Sequence, residues 1–296
     1  MPVASKLRGV IAAIATPITA QRAPDLGRFL DLGGRLLAGG CDGLNVLGTT
    51  GEATSLSRQQ RAEVMRAAAR NLDLARLMVG TGAAALDDAV ALTRLAAELG
   101  FAGALVVPPF YYKGVSEDGV FAAIAAIAEA TAERPIPIYL YHFPALSGVP
   151  YTPALVARLI SAFPDRIAGL KDSSGDLAYS RTVAQAHPAL AVFPSSEATL
   201  LEARSGPFAG CISATANLNA DLCARAYRNG EAAALERAVA IRALFDGRPV
   251  IAGVKAGLAH LHHDNALALP MPPLVAWGAA ERTRLGADLD RIRSGA

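Results

Sequence analysis

The sequence predicts an α/β protein, a (β/α)8 TIM barrel with a C-terminal helical extension. Two patterns favour this fold: short apolar runs recur eight times in the first 215 residues, and segments with helical spacing separate them. The length of 296 residues also suits a barrel of about 250 residues with an extension. We therefore expect one barrel rather than two average domains.

The apolar runs are the predicted strands. They lack polar alternation, as parallel strands covered on both faces do. In chain order they are Val10–Ala15, Leu44–Leu47, Leu77–Val79, Ala104–Val107, Ile136–Tyr141, Ile167–Lys171, Leu190–Phe193 and Cys211–Ser213.

The segments between the runs predict helices, and their alternation with strands implies a parallel sheet. Eight such units close naturally into a barrel. An open doubly wound sheet is the alternative, but no G-x-G-x-x-G follows the first run, where Ala15–Thr19 stands. Helical spacing is found in Leu26–Leu37, Arg58–Ala69, Ala89–Leu99, Asp118–Ala130 and Pro153–Phe163.

After about Asn219 the pattern becomes wholly helical. We therefore divide the chain into a barrel that carries the active site, residues 1–219, and a C-terminal helical extension, residues 220–296. The extension contains helical patterns over Ala220–Arg228, Glu231–Phe245, Ile251–Leu261 and Glu281–Arg293.

Composition excludes several classes of protein. A net charge of +2 without a basic stripe disfavours nucleic-acid binding, and no apolar stretch is long enough to span a bilayer. The cysteines Cys41, Cys211 and Cys223 lack CxxC spacing, which favours reduced thiols and a cytoplasmic location. The histidines of His260–Asp264 do not share one helical face, so we expect no metal site.

Active sites of such barrels lie at the C-terminal ends of the strands, and here several ends are polar. Lys171 closes the sixth run, where burial would disfavour the ammonium form and leave an amine able to attack a carbonyl. Pairing with a nearby carboxylate is the structural alternative. Gly48–Glu52 closes the second run, and its backbone N–H groups and hydroxyls could bind a carboxylate, although a plain tight turn explains the same residues.

Four ordered motifs carry a family resemblance: Gly48–Glu52, Pro109–Tyr112, Tyr141-x-x-Pro144 and Gly169–Asp172. With these motifs the chain resembles the dihydrodipicolinate synthase and N-acetylneuraminate lyase superfamily of class I aldolases, over nearly its whole length. The resemblance implies a carbon–carbon lyase.

The resemblance also implies catalytic roles. Lys171 would form a Schiff base with a 2-oxo acid, and Tyr141, Thr49 and Tyr111 would relay protons. Tyr111 would reach in from a neighbouring subunit, which implies a homo-oligomer, a dimer or a tetramer. Thr50 would hold the substrate carboxylate, and Gly48 of the same loop is a second candidate for substrate binding. The iminium is itself the electron sink, so we expect no metal or organic cofactor.

Departures from the family pattern bear on the substrate. Leu146 stands where the synthases carry an arginine that grips the aldehyde's carboxylate. The segment Tyr141–Val149 resembles the sialic acid lyase branch, although Ser196-Glu197 replaces that branch's acidic pair and Ser173 replaces a threonine. Ser173, Ser196, Glu197 and Ser213 are our remaining candidates for substrate binding, with a simple turn hydroxyl as the alternative for Ser213.

The favoured function is a pyruvate-type aldolase or lyase acting on a hydroxylated 2-oxo-3-deoxy acid, with a small 2-oxo acid and an aldehyde as its partners. A sugar-acid dehydratase would use the same lysine and keep the carbon chain whole. Two more hypotheses stay open at this point: a 4-hydroxy-tetrahydrodipicolinate synthase, and a catalytically silent barrel that senses a metabolite.

Overall fold

The computed structural model describes residues 7–295. Within them, eight parallel strands alternate with helices and form the predicted barrel. Residues 1–6 of the predicted barrel domain and residue 296 of the predicted extension lie outside the described residues. The strands are β1 (Gly9–Ala13), β2 (Gly43–Val46), β3 (Leu77–Gly80), β4 (Gly103–Val106), β5 (Ile138–His142), β6 (Ile167–Asp172), β7 (Ala191–Pro194) and β8 (Gly210–Ser213).

The strands follow one another around the barrel in chain order, and β1 pairs with both β2 and β8. β7 adjoins β8 where the backbone N–H of Ala209 donates to the Val192 carbonyl at 2.8 Å, which brings the two ends of the sheet together. Gly210 allows the close approach of β1 and β8, because its φ is +145° and a Cβ there would lie 1.9 Å from the Gly9 oxygen.

Twelve α-helices are found within residues 7–295. Several begin at side-chain caps, as at Ser57, whose hydroxyl accepts from the Gln60 N–H in a capping box. The helices are α1 (Leu26–Ala38), α2 (Arg58–Asn71), α3 (Leu86–Leu99), α4 (Glu117–Ala130), α5 (Pro144–Ser147), α6 (Pro153–Ala162), α7 (Leu177–Ala186), α8 (Leu200–Ser205), α9 (Ala216–Asn229), α10 (Ala232–Ala243), α11 (Val250–Leu261) and α12 (Ala279–Ser294).

Helix α9 follows β8 and packs against β1 and β8, so it completes the ring of helices around the barrel. The predicted boundary between residues 219 and 220 falls inside this helix, at Asn219, whose φ of −138° is not helical. The Asn219 side chain donates to the Ala238 carbonyl of α10 at 3.1 Å. The division into two domains at this position stays a prediction.

Two apolar layers explain why the strands show no polar alternation. In β1, Val10 and Ala12 pack against the helices, whereas Ile11 and Ala13 face the interior of the barrel. Both faces of the sheet are thus buried, as expected for parallel strands. The three cysteines are free and buried, and burial raises the pKa of the Cys41 thiol to about 12. In the described part of the chain, no helix is both long and apolar enough to cross a membrane.

Candidate active site

A cavity of about 380 Å³ opens at the C-terminal ends of the strands. It brings together polar side chains from β5, β6 and the turn after β2 with residues of the C-terminal helices. Its walls are formed by Thr49, Thr50, Tyr141, Phe143, Leu146, Lys171, Ser173, Ser195, Ile212, Ala214, Thr215, Arg242, Phe245, Asp246, Val250 and Ile251. Five of the predicted site residues therefore line one cavity: Thr49, Thr50, Tyr141, Lys171 and Ser173.

Lys171 lies near the end of β6, in register with Tyr141 of β5. Its side chain is buried, and Nζ lies 4.3 Å from the centroid of the Tyr141 ring. No carboxylate in residues 7–295 forms an ion pair with it. The structural alternative of a paired, buried lysine applies instead to Lys255, which is 1% exposed and forms an ion pair with Glu52.

The Tyr141 hydroxyl lies 3.0 Å from Oγ1 of Thr49, and either oxygen can donate. Thr49 reaches this position because the chain turns sharply after β2, with Leu47 at a φ of +54°. Gly48 fits the turn because a Cβ there would lie 2.5 Å from Nδ2 of Asn45. A phenol beside a lysine and a second hydroxyl is suited to proton transfer at a carbon bound to that lysine.

Thr50 and Ser173 supply two further hydroxyl groups to the cavity wall. Thr50 is buried, and Ser173 is partly buried. The backbone N–H of Ser173 donates to the His142 carbonyl at 2.8 Å, which ties the ends of β5 and β6 together.

Tyr111 does not reach the cavity of its own chain. It lies on the loop between β4 and α4, its side chain is 75% exposed, and its ring contacts that of Tyr112 edge-on at 5.4 Å. The predicted role of Tyr111 in the relay therefore requires a second subunit.

Three further predicted substrate-binding residues, Ser196, Glu197 and Ser213, do not line this cavity. Glu197 is fully buried because the turn after β7 directs its carboxylate toward hydroxyl groups at the end of β8. It accepts hydrogen bonds from Ser213 Oγ at 2.7 Å and from the Thr215 hydroxyl. Ser196 caps that turn, with Oγ accepting from the Ala198 N–H at 3.3 Å.

The C-terminal helices contribute a cation that the sequence analysis missed. Arg242 of α10 lines the cavity, and its Nη1 forms an ion pair with Glu197 Oε2 at 3.4 Å. The predicted candidate Glu197 thus contacts an arginine of the cavity wall instead of lining the cavity itself. No sequence signal marked Arg242, because an arginine near the end of a surface helix is ordinary.

His142 and Asp172 face the helix layer, because each follows an inward-facing strand residue, Tyr141 or Lys171. His142 Nδ1 accepts from the Tyr151 N–H at 3.1 Å, and its ring stacks on Tyr179 at 4.2 Å. Burial lowers the pKa of His142, against the opposing effect of Asp172, which favours the neutral ring that can accept this bond. Asp172 itself accepts from the Ser180 hydroxyl of α7 at 2.5 Å.

A second cavity of about 320 Å³ adjoins the first and has mainly apolar walls. Four residues line both cavities: Thr49, Tyr141, Phe143 and Leu146. Leu146, at the position where the synthases carry an arginine, is 63% exposed at this shared wall.

The histidines of the tail take part in other contacts. His260 Nε2 lies 2.9 Å from Asp290 Oδ1, and Asp264 accepts from Arg28 Nε at 2.6 Å. Across residues 7–295, no group of three or more His, Cys, Asp or Glu side chains is arranged to hold a metal ion.

Comparison with known proteins agrees with this architecture. The model of the dihydrodipicolinate synthetase family matches residues 6–291. A DapA-like lyase of uncharacterised function from Chloroflexus aurantiacus is 35% identical over 97% of this chain and 98% of its own length.

Solved structures give the same result. Dihydrodipicolinate synthase from Agrobacterium tumefaciens superposes with a TM-score of 0.90 at 27% identity, over 96% of this chain and 99% of that one. A prophage protein of the dihydrodipicolinic acid synthase family from E. coli K12, in complex with pyruvate, gives a TM-score of 0.87 at 25% identity, over 97% and 98%. The barrel, the clustered strand ends and these matches together show that the chain belongs to the dihydrodipicolinate synthetase family and is a carbon–carbon lyase.

Proposed function

We propose that the protein is a Schiff-base aldolase that cleaves, or builds, a hydroxylated 2-oxo-3-deoxy acid, with pyruvate as the donor half. One observation carries the proposal: the buried Lys171 amine, without a carboxylate partner in the described residues, lies 4.3 Å from the ring of Tyr141, whose hydroxyl is 3.0 Å from Thr49. This arrangement places a nucleophile beside a proton relay on one cavity wall.

The chemistry follows from these groups. Lys171 Nζ attacks the ketone carbon, and the carbinolamine loses water as Tyr141 donates a proton to the departing hydroxyl. The Tyr141 oxygen then takes the proton of the 4-hydroxyl group, and the C3–C4 bonding pair moves toward the iminium. An aldehyde leaves, and an enamine remains. Protonation of the enamine at C3 and hydrolysis of the iminium release pyruvate and restore the amine.

Substrate binding would use the remaining wall residues. The Thr50 and Ser173 hydroxyls would hold the 2-oxo acid carboxylate through hydrogen bonds to a charged acceptor. Arg242 and Asp246 offer a donor and an acceptor for hydroxyl groups on the rest of the chain. Leu146 supplies no guanidinium for an aldehyde carboxylate, which supports a hydroxylated substrate over that of the synthases.

Tyr111 would complete the relay in a neighbouring subunit, so the working enzyme would be a homo-oligomer, a dimer or a tetramer. Tyr111 is 75% exposed on the loop after β4 and Tyr112 beside it is 72% exposed, and adjacent exposed aromatic side chains of this kind are suited to a subunit interface. The buried free thiols suit a cytoplasmic enzyme.

The test is to incubate the protein with pyruvate and borohydride and to measure its intact mass. We expect a reduced pyruvyl adduct that Lys171→Ala abolishes. A panel of 2-oxo-3-deoxy sugar acids then separates the activities, because an aldolase releases pyruvate and an aldehyde whereas a dehydratase keeps the carbon chain whole. No adduct on folded wild-type protein would refute the mechanism.

A further inference from the structure

Glu52 is the last residue of the turn that carries Thr49, and it stabilises that turn. The backbone N–H of Glu52 donates to the Thr49 carbonyl at 3.0 Å, and Glu52 itself has a φ of +56°. Because of this hydrogen bond, contacts that hold Glu52 in place also hold the backbone of Thr49 in place.

The Glu52 side chain is anchored outside the barrel strands. Its carboxylate forms a fully buried ion pair with Lys255 of α11, and its Oε2 accepts from the Met271 N–H at 2.6 Å. Lys255 Nζ also donates to the Leu269 carbonyl at 2.9 Å. Two charges removed from water are tolerated only when each is paired and hydrogen-bonded, and here both are.

Helix α11 belongs to the active site as well as to the extension. Val250 and Ile251, in its first turn, line the Lys171 cavity, and Lys255 lies one turn after Ile251. The ion pair thus joins the turn carrying Thr49 to a helix that forms another part of the cavity wall.

We propose that Glu52 and Lys255 are positioning residues for the proton relay: their buried ion pair holds the Thr49 hydroxyl at the Tyr141 hydroxyl. Neither residue lines the cavity, so they act through Thr49 and not on the substrate. This inference rests on the proposed function.

The experiment separates imine formation from proton transfer. Borohydride trapping with pyruvate reports the Lys171 amine, whereas exchange of the pyruvate C3 protons in D2O, followed by NMR, reports the relay. Glu52→Gln with Lys255→Met removes both charges together, and such neutral replacements of buried pairs are often well tolerated. We expect this double variant to fold and to trap pyruvate, but to exchange C3 protons at least about ten times more slowly.

A double-mutant cycle that combines Thr49→Val with the Glu52→Gln, Lys255→Met variant tests whether the ion pair acts through Thr49. If the ion pair works through Thr49, then Thr49→Val slows exchange in the wild type but has little further effect in the double variant. Leu159→Ala, which truncates a buried side chain of α6, serves as a destabilised control and should exchange at the wild-type rate. Thermal melting of every variant accompanies the rates.

Two results would overturn the positioning role: wild-type exchange in the folded double variant, or a Thr49→Val effect that is equally large in both backgrounds. A wild-type protein that gives neither adduct nor exchange would instead refute the proposed function and this inference together.

Discussion

Removal of one hydroxyl tests the relay most directly. Tyr141→Phe keeps the ring that contacts Lys171 but deletes the oxygen 3.0 Å from Thr49. A positioned general acid–base contributes about 10²- to 10⁴-fold, so kcat should fall by that factor, equivalent to about 3–5 kcal/mol of activation free energy. The free energy of unfolding should fall by only about 1 kcal/mol, the typical contribution of one neutral hydrogen bond.

The assay is C3 proton exchange of pyruvate together with cleavage of the best sugar acid, and Tyr139→Phe is the matched control. Tyr139 lies two residues earlier on β5, is fully buried and lines neither cavity. Its variant should exchange protons at the rate of the unchanged protein. Borohydride trapping should survive in both variants, since Lys171 remains. Wild-type exchange in Tyr141→Phe would refute the relay.

Three further predictions follow from other contacts. Arg242→Lys keeps a cation beside Glu197 but loses the planar donor pair of the guanidinium. The KM for a hydroxylated substrate should therefore rise about tenfold in steady-state kinetics. An unchanged KM would contradict a role of Arg242 in substrate binding. Tyr111→Phe and Lys171→Ala proteins should each be inactive. Activity should return when the two are unfolded and refolded together, because mixed oligomers combine an intact Lys171 with an intact Tyr111. No recovery of activity in mixed oligomers would count against a shared site. Gly210→Ala should lower the free energy of unfolding by about 3 kcal/mol in urea titration, because the new Cβ meets the Gly9 carbonyl; an unchanged midpoint would contradict the closure of β1 against β8.

The strands were predictable because burial on both faces leaves a continuous apolar run, and β6 shows why its end was also predictable. A lysine that follows such a run must lie at the rim of the barrel, where a charged group has a chemical use. Lys171 therefore stood out without knowledge of its neighbours. The polar ends of the second and fifth runs stood out in the same way, but the roles of Thr49, Thr50 and Tyr141 came from the family resemblance.

Side-chain direction beyond the strand ends was not predictable. Glu197 was predicted as a substrate-binding candidate, and the sequence did not show that the turn after β7 places its carboxylate among the Ser213 and Thr215 hydroxyls. Arg242 and Lys255 lie on helices far along the chain, and only tertiary packing brings them to Glu197 and Glu52. Contacts of this kind depend on helix docking, which the local sequence pattern does not encode.

The wall between the two cavities has a consequence for protein engineering. Phe143 and Leu146 line both the 380 Å³ and the 320 Å³ spaces, and Leu146 is largely exposed. Exposed positions tolerate replacement at little cost in folding free energy. Smaller side chains at these two positions would widen the space at the shared wall without changing Lys171, Thr49 or Tyr141, so a library restricted to this pair is a direct route to an enzyme that accepts bulkier aldehydes.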